Sequence, residues 1–355
     1  MPETMKAAVY YGNKDLRIEE VPVPDVRPGT LKVKVEWCGV CGTDLHEYED
    51  GPIFAPACGH PHPLTGEEVP IQLGHEMAGV VAEVGEGVEG FAVGDKVAVE
   101  PLLTCGECVF CRDGRYNLCV KGGFIGLSGA GGGFSEYVVA PADRCFALGD
   151  LPTDVGAVVE PLAVGYHAVR RSGIEPGMSA AVFGAGPIGL VTIACLRAIG
   201  IETVVAVEMS SIRKEKATTA GATMILDPSS DDVPARLQEI TDGLGVDVAF
   251  ECVGASPALQ SALDSTRNGG TVVNVSIWGR KAEIDMFGLV MRELNLIGTS
   301  AYCADHADVI TLLQEGKIPA EQFITGRIAV DDIIEGGFRA LIERKEENVK
   351  ILVHP

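Results

Sequence analysis

Four cysteines lie within fifteen residues, in the spacing Cys105-x2-Cys108-x2-Cys111-x7-Cys119. This spacing predicts a tetrahedral thiolate site for Zn²⁺. Disulfide bonds and an iron–sulfur cluster are the alternatives, but ferredoxin-type clusters place their fourth cysteine differently. Because four protein ligands leave zinc no open coordination position, this site is expected to stabilise a loop, and any catalytic chemistry must lie elsewhere.

A second set of metal-ligating side chains is spread along the first half of the chain. Cys41, Thr43 and His46 crowd a predicted turn, and His75 and Glu160 follow further on. A thiolate, an imidazole and a carboxylate together could bind zinc and leave one position open for a substrate. Each residue alone is more often structural, so the residues themselves do not decide which side chains are ligands.

A glycine fingerprint, Gly184-x-Gly186-x-x-Gly189, follows a predicted strand at 180–183 and opens an apolar helical stretch. The first glycine permits a tight turn, the second lets the backbone approach a pyrophosphate, and the third lets the helix pack on its strand. The residues expected to contact a dinucleotide here are Gly184, Gly186, Pro187, Ile188 and Gly189.

Glu208 ends the next predicted strand, nineteen residues after Gly189. A carboxylate at this distance accepts hydrogen bonds from the adenosine ribose hydroxyls and repels a 2′-phosphate, which favours NAD over NADP. Arg213, close downstream, could bind such a phosphate and is counted with the cofactor-binding residues.

Two patterns of periodicity divide the chain. Residues 5–147 read as short strands broken by turns, which predicts a β-barrel-like domain. Residues 177–299 alternate strands with helical stretches, which predicts an α/β domain with a doubly wound parallel sheet. Its strands are predicted at 180–183, 204–207, 246–250, 271–275 and 294–297, and a last strand of the chain at 349–353.

Composition limits the function classes. The chain has 355 residues, 46% of them hydrophobic, and a formal net charge of −22. Such a charge disfavours nucleic acid and anionic membrane surfaces as partners. The apolar stretch 176–196 is about as long as a membrane span, but its glycines favour a buried strand–turn–helix. The charged start and the scattered remaining cysteines favour a reducing cytoplasm.

Five motifs in order resemble those of the zinc-dependent medium-chain alcohol dehydrogenases, over essentially the whole chain. They are Cys41-Gly-Thr-Asp-x-His46, Gly74-His-Glu76, the four-cysteine run, Glu160-Pro-Leu-Ala-Val-Gly165 and Gly184-Ala-Gly-Pro-Ile-Gly189. The resemblance implies a GroES-like β-barrel catalytic domain at 1–165 that carries the structural-zinc loop. It further implies a Rossmann NAD-binding domain at 166–299 and a return of residues 300–355 to the catalytic domain.

The resemblance also implies two zinc ions per chain, one structural and one catalytic. Cys41, His75 and Glu160 are then ligands of the catalytic zinc, and Glu76 either ligates in alternation or orients the other ligands. Glu160 occupies the place held by cysteine in simple alcohol dehydrogenases, a departure that looks like the polyol dehydrogenase branch.

Thr43 and His46 would pass the substrate proton to solvent, since histidine exchanges protons near neutral pH. Glu76 is counted with them among the catalytic residues.

The loops at 50–54 and 60–66 are similar to those of 2,3-butanediol dehydrogenases. The expected reaction is hydride transfer between NAD and a small diol or polyol, with 2,3-butanediol oxidised to acetoin, in a homodimer or homotetramer. Sorbitol, xylitol and L-threonine are alternative substrates, and a non-catalytic zinc and dinucleotide binder is the alternative from another class. His60 and His62 are expected to be surface turn residues rather than further metal ligands.

Overall fold

The computed structural model describes residues 3–355, which form two compact units. The first unit holds the chain up to Glu160 together with Phe323–Pro355, and the second holds Pro161–Gln322. This division extends the second unit beyond the expected limit at 299. The physical reason is Asp305, whose buried carboxylate binds His167 and Arg170 and so keeps the following helix in the second unit.

The first unit consists mainly of antiparallel strands. In chain order these are β1 (Thr4–Gly12), β2 (Asp15–Pro22), β3 (Thr30–Gly39), β4 (Ile71–Gln72), β5 (Glu76–Val84), β6 (Lys96–Val99), β7 (Leu102–Leu103), β8 (Gly123–Phe124), β9 (Tyr137–Pro141) and β10 (Cys145–Ala147). Its helices in this part are α1 (Gly42–Asp50), α2 (Val109–Arg112) and α3 (Thr153–Gly156), with short 3₁₀ turns at Tyr116–Leu118 and Ala142–Arg144.

Helix α4 (Val159–Ser172) leads into the second unit, whose strands alternate with helices. The strands are β11 (Ser179–Phe183), β12 (Thr203–Val207), β13 (Met224–Leu226), β14 (Val246–Glu251), β15 (Thr266–Asn274) and β16 (Asn295–Gly298). The helices are α5 (Pro187–Ala198), α6 (Ser211–Ala220), α7 (Val233–Glu239), α8 (Ser256–Ser265), α9 (Met286–Met291) and α10 (His306–Gln314).

The chain then returns to the first unit. A 3₁₀ turn at Ala320–Phe323 precedes β17 (Ile324–Ala329), a second at Val330–Asp332 leads into a π-helix at Ile333–Arg339, and α11 (Ala340–Glu343) and β18 (Lys350–His354) follow. β18 pairs antiparallel with β3, placing Leu352 opposite Gly39 and Val353 opposite Cys38.

The main sheet of the first unit has the order β10-β6-β5-β3-β18-β17, with β9 also paired to β3. Alternation along β3 explains its core: Leu31, Val33 and Val35 are buried on one face, as expected for a strand with one side against the interior. Smaller sheets, β2-β1-β4 and β7-β8, complete this β-rich domain.

The second unit contains one parallel sheet in the order β13-β12-β11-β14-β15-β16. This is the doubly wound order, in which the direction of winding reverses between the first and fourth strands. β11 and β12 are continuous apolar runs buried along almost their whole length, as strands covered on both faces must be. The predicted α/β fold class is confirmed, although the short strand β13 was missed.

One local prediction was wrong. The segment at 41–46 was expected to be a turn, whereas the structure places most of it in α1. Cys41 is the N-cap of this helix, and the side chain of Asp44 accepts the backbone N–H of Cys41 at 2.9 Å. This local bond satisfies a donor that would otherwise lack a partner at the start of the helix. Among residues 3–355, no helix is long and apolar enough to cross a membrane.

Candidate active site and metal sites

The start of α1 fixes three polar side chains in one turn. Cys41 caps the helix, and its Sγ lies 3.6 Å from Thr43 Oγ1. His46 follows Thr43 by three residues, a spacing that places both on neighbouring positions of the helix surface, and His46 is exposed to solvent. The sulfur of Cys41 therefore lies at the start of the helix, beside a hydroxyl.

Cys41, His75 and Glu76 form one group of potential metal ligands, with one donor atom from each lying within 4.8 Å of the others. A glycine turn brings them together, because Gly74 has a φ of +97° immediately before His75 and β5 begins at Glu76. His75 and Glu76 are buried. Glu76 Oε2 and His75 Nδ1 have no hydrogen-bond partner in the described part of the chain. A half-buried thiol, a buried imidazole and a buried carboxylate oxygen without a partner are the donor set of an open zinc site.

The charges around this group are balanced by Lys350, which lies on β18. Its Nζ is 2.5 Å from Glu76 Oε1 and donates to the carbonyl of Val40 at 3.2 Å. Burial alone would lower the pKa of Lys350, but the charges of Glu76, Cys41 and Glu160 raise it. Glu160 therefore lies close enough to act on Lys350, although it is outside the group formed by Cys41, His75 and Glu76.

The imidazole of His75 lies beside acidic groups of the same cluster. Burial lowers the pKa of its imidazole, but Asp44 and Cys41 raise it well above the usual value. His75 Nδ1 lies 3.4 Å from Asp44 Oδ1, and Asp44 is fully buried. Asp44, Cys41 and Glu76 are all acidic groups, so a cation bound among them would be stabilised.

The four cysteines of the spaced run also converge. Cys105 Sγ lies 3.9 Å from Cys111 Sγ, and Cys108 Sγ lies 3.5 Å from the same atom. A zinc tetrahedron with Zn–S bonds of about 2.3 Å has sulfur–sulfur edges of about 3.8 Å, so the observed spacing matches it. The backbone N–H of Cys105 points to Cys119 Sγ at 3.3 Å.

The electrostatics of these thiols fit a bound divalent cation. Backbone hydrogen bonds, chiefly from Cys111, lower the pKa of Cys108 to about 6. Burial and the neighbouring sulfurs raise the pKa of Cys111 to about 12. Four thiols this close cannot all ionise without a positive charge between them. In residues 3–355 the eleven cysteines are free thiols, the state that a thiolate zinc site requires.

The glycine fingerprint lies at the carboxyl end of β11. Gly184 has a φ of +90°, which favours glycine. A Cβ on Gly189 would lie 1.9 Å from the carbonyl oxygen of Gly184, so only glycine allows α5 to approach β11 this closely. Gly186 is the N-cap of α5, and a Cβ at this position would have no other protein atom within 4 Å. Because no protein atom crowds this position, the turn at the helix N-terminus fits the pyrophosphate of a dinucleotide.

Glu208 follows β12 and is directed towards the same turn. Its Oε2 accepts the backbone N–H of Ala185 at 2.8 Å, and its Oε1 accepts those of Met209 and Ser210 at 2.8 and 2.9 Å. Glu208 is thus held beside the fingerprint at the carboxyl edge of the sheet. Arg213 lies in the first turn of α6, the next helix.

Comparison with known proteins agrees with both units. Residues 27–150 match the family model described as alcohol dehydrogenase GroES-like domain, and residues 187–315 match the one described as zinc-binding dehydrogenase. The chain is 47% identical over 353 residues to (R,R)-butanediol dehydrogenase of Neisseria gonorrhoeae, covering 99% of each protein. The chain belongs to the zinc-binding dehydrogenase family.

Two further similarities locate this zinc-binding dehydrogenase within the family. The crystal structure of 2R,3R-butanediol dehydrogenase from Bacillus subtilis matches it with a TM-score of 0.93 and 47% identity, covering 99% of each chain. Sorbitol dehydrogenase of Bacillus subtilis is 35% identical over 357 residues, covering 100% of this chain and 98% of that protein. The butanediol dehydrogenases are thus more similar to it than this polyol dehydrogenase is.

Sequence reasoning missed three buried polar residues in or beside the candidate site. Asp44 caps α1 and faces His75, and its position three residues after Cys41 is a capping signal that could have been used. Lys350 pairs with Glu76 across 274 residues of chain, and no local pattern marks it.

The third missed residue is Glu47, which is fully buried on α1. Its carboxylate accepts the backbone N–H groups of Ile53, Phe54 and Ala55, which fixes the loop after the helix. Thr43 and Glu47 are four residues apart on α1, so this loop is anchored on the helix face that carries Thr43.

The histidines of the extended loop do not join a metal group. His62 Nε2 lies 3.3 Å from the carbonyl oxygen of Gly122. Neither His60 nor His62 belongs to a metal-ligand group in the part of the chain that the structure describes. His60 is exposed and His62 is half-buried, and their interpretation as surface turn residues stays a prediction.

Proposed function

We propose that this zinc-binding dehydrogenase is an NAD-dependent enzyme that interconverts 2,3-butanediol and acetoin. The similarity that carries the proposal is the 47% identity to an (R,R)-butanediol dehydrogenase over 99% of both chains. The converging Cys41, His75 and Glu76 supply the metal-ligating chemistry that such a reaction requires.

The proposed catalytic zinc ligands are Cys41, His75 and one carboxylate. Glu76 is the favoured third ligand, because its Oε2 is buried without a partner and its donor atom lies in the 4.8 Å group. Glu160 remains the alternative, since it lies close enough to influence Lys350. The zinc content of two variants distinguishes the carboxylates. Glu76→Gln is expected to lose the catalytic zinc ion and keep the structural one. If Glu160→Gln loses the catalytic zinc ion instead, Glu160 is the third ligand.

When bound, zinc would act as a Lewis acid that makes the substrate hydroxyl more acidic. Thr43 Oγ1 is placed to accept the hydroxyl proton, because it lies beside Cys41 Sγ and can donate its own proton onward. His46, exposed one helical turn further on, can release a proton to solvent. The residues of α1 thus supply both ends of a proton path.

The proposed cofactor is NAD, bound over the fingerprint of the second unit. The helix N-terminus at Gly186 would bind the pyrophosphate, and Glu208 would accept hydrogen bonds from the ribose hydroxyls of the adenosine half. Gly184, Pro187, Ile188 and Gly189 shape the turn. The carboxylate of Glu208 would repel the 2′-phosphate of NADP and so favours NAD. Arg213 has the opposite effect, because its guanidinium could bind that phosphate.

The proposed assembly is a homodimer or a homotetramer. β16 is the edge strand of the parallel sheet, and the preceding helix α9 exposes a cluster of large apolar side chains. These are Met286, Phe287, Val290 and Met291, each more than half exposed. An open edge beside an apolar surface favours pairing with a second copy. Sedimentation velocity of Phe287→Asp tests this: dissociation supports the interface, and an unchanged assembly contradicts it.

Sorbitol and xylitol are the second candidate substrates, favoured by the 35% identity to a sorbitol dehydrogenase. L-Threonine is a third candidate, and a non-catalytic zinc and dinucleotide binder is the alternative outside the enzymes. The grouping of Thr43, Cys41 and His75 supports an enzyme, because a structural protein has no use for an open metal position beside a hydroxyl.

The test is a set of initial rates of NAD⁺ reduction with (R,R)-, (S,S)- and meso-2,3-butanediol, sorbitol, xylitol and L-threonine. Each rate is measured before chelation, after it, and after zinc is restored. Strong zinc-dependent activity on one butanediol isomer supports the proposal. Activity on sorbitol or threonine alone would transfer the function to that substrate, and no activity on any substrate would favour the non-catalytic alternative.

A further inference from the structure

Glu251 is the last residue of β14, and its side chain is completely buried. Its Oε1 accepts the backbone N–H groups of Val253 and Gly254, both at 2.8 Å. Its Oε2 accepts the hydroxyl of Ser276, which follows β15. One carboxylate therefore connects the loops that follow two neighbouring strands of the parallel sheet.

The backbone around Glu251 strengthens this connection. The carbonyl of Glu251 accepts the N–H groups of Val275 and Ser276 at 2.9 and 3.2 Å, and the N–H of Cys252 donates to the carbonyl of Phe183 at 2.9 Å. The loop after β14 is thus tied on one side to the end of β11 and on the other to the end of β15.

The same loop touches the glycine fingerprint. A Cβ on Gly184 would lie 2.7 Å from Val253 Cγ2 and 3.4 Å from the carbonyl oxygen of Cys252. β11 and β14 are the neighbours between which the winding of the sheet reverses. In doubly wound sheets the ligand crevice lies outside the carboxyl ends of these two strands. Glu251 therefore lies at the point where the two halves of a dinucleotide site meet.

Two apolar side chains on the connected loops are exposed at this edge. Val253 is 53% exposed and Ile277, next to Ser276, is 67% exposed. Exposed apolar groups on loops held this tightly are suited to cover the flat face of a ligand ring. Glu208 follows β12, which lies on the opposite side of β11 from β14. Because Glu208 is the residue expected to bind the adenosine half of the dinucleotide, the loops after β14 and β15 would face its nicotinamide half.

We propose that Glu251 is a positioning residue for the nicotinamide half of the dinucleotide cofactor. It fixes the loops at 252–254 and 276–278 against the fingerprint, so that Val253 and Ile277 form a surface that exists before the cofactor binds. This inference rests on the proposed NAD-dependent function. A carboxylate suits the role because it only accepts hydrogen bonds, and here three donors converge on it.

Substitution of Glu251 should act on cofactor affinity. Glu251→Ala leaves the N–H groups of Val253 and Gly254 and the hydroxyl of Ser276 without their acceptor, so the loops lose their fixed arrangement. Glu251→Gln keeps one carbonyl oxygen for the two N–H groups, and the hydroxyl of Ser276 can rotate to accept from the new amide. The conservative variant should therefore retain most of the affinity.

The matched control is Asp247, which lies near the opposite end of the same strand. Its carboxylate accepts the backbone N–H and the hydroxyl of Ser179, both at 2.8 Å, and contacts Arg267. Asp247 lies near the amino end of β14, away from the carboxyl edge where the fingerprint and Glu251 lie. Asp247→Asn changes a carboxylate acceptor that is only half-buried, with 24% of its side chain exposed, and should lower thermal stability without changing cofactor affinity.

The experiment is fluorescence titration of NADH against the zinc-loaded wild-type protein and the variants, with melting temperatures measured in parallel. Glu251→Ala should raise the Kd for NADH about tenfold or more, Ser276→Ala about threefold, and Glu251→Gln no more than about threefold. Asp247→Asn should stay within about twofold of the wild type. At saturating NAD⁺ the KM for the alcohol should not change.

The outcomes distinguish the role of Glu251 from the proposed NAD-dependent function. If the wild-type protein binds no NADH, the proposed NAD-dependent function fails and the inference fails with it. If the wild type binds NADH while Glu251→Ala and Ser276→Ala bind it equally well, only the role of Glu251 is overturned. If Glu251→Ala does not fold, the NADH affinity of Ser276→Ala tests the role instead. That variant loses one hydroxyl and keeps the carboxylate of Glu251 as the acceptor for the loop at 252–254. Equal loss of affinity in Asp247→Asn would indicate general destabilisation and would also overturn the role.

Discussion

Lys350 and Glu76 form a buried ion pair, with 2.5 Å between Nζ and Oε1 and side chains only 5% and 1% exposed. The pair joins β18, near the end of the chain, to the residue that follows His75 in the proposed metal site. Lys350 leaves Glu76 Oε2 free, because it binds only the other oxygen. The return of the chain to the first unit therefore supplies a counter-charge for the proposed metal site.

Lys350→Met should destabilise the first unit strongly, because it leaves the carboxylate of Glu76 buried without its cation. Removing one partner of a buried pair costs about 3–5 kcal/mol of unfolding free energy. Combining it with Glu76→Gln should recover part of the loss, as urea unfolding of the single and double variants will measure. Lys6→Met, which breaks an exposed pair with Asp331, is the control and should change nothing measurable. Additive effects of the two buried substitutions would contradict this coupling.

Cys111→Ser should remove one zinc ion per chain and lower the melting temperature. Cys111 Sγ is the atom that both Cys105 and Cys108 approach, so its loss opens the tetrahedron. Metal analysis of the purified protein measures the ratio of zinc to chain. Cys58→Ser, which changes an exposed thiol outside both groups, should keep two zinc ions. Retention of both ions in Cys111→Ser would rule out the four-cysteine site.

His46→Gln should lower kcat for alcohol oxidation without loss of zinc. His46 is exposed and lies one helical turn from Thr43, so it is the group from which a proton can reach solvent. Added imidazole should restore part of the rate by replacing the missing proton acceptor, whereas glutamine at this position cannot. An unchanged kcat would place the proton path elsewhere. His354→Gln offers a control at a second exposed histidine, one that contacts the carbonyl of Glu36.

Asp305→Asn should destabilise the second unit at neutral pH. Asp305 is fully buried and accepts hydrogen bonds from His167 at 2.8 Å and Arg170 at 2.6 Å. Burial raises the pKa of Asp305, but the hydrogen bond from His167 and the charge of Arg170 outweigh it, and the pKa is lowered. A lowered carboxyl pKa stabilises the fold fully above the unfolded value of about 3.9, and this contribution is lost as the pH falls through the folded value.

The stability difference between wild type and Asp305→Asn should therefore be largest near pH 7 and shrink as the pH falls below about 4. Urea unfolding at a series of pH values measures it. Asp264→Asn, at an exposed carboxylate, should show no such trend. A constant difference across the series would indicate that the charge of Asp305 contributes nothing.

The features that local spacing encodes could be predicted from the sequence. The four cysteines and the glycine fingerprint each act within about fifteen residues, so a single stretch of chain specifies them. The partners that the fold brings from far away could not. Lys350 meets Glu76 across 274 residues, and Ser276 meets Glu251 across 25. Such pairs depend on strand order and register, which periodicity does not give.

Gly186 and Gly189 have different reasons for being glycine, and this difference gives a sharp test of the cofactor site. A side chain on Gly186 meets no atom of the protein within 4 Å, and its φ of −71° suits any residue. Gly186→Val should therefore fold with nearly the wild-type melting temperature and yet lose NADH binding, because the branched side chain fills the place of the pyrophosphate. Gly189→Ala should instead lower the melting temperature, since its Cβ would lie 1.9 Å from the carbonyl oxygen of Gly184 and push α5 away from β11. Undiminished NADH affinity in a well-folded Gly186→Val would mean that the dinucleotide does not lie on this helix N-terminus.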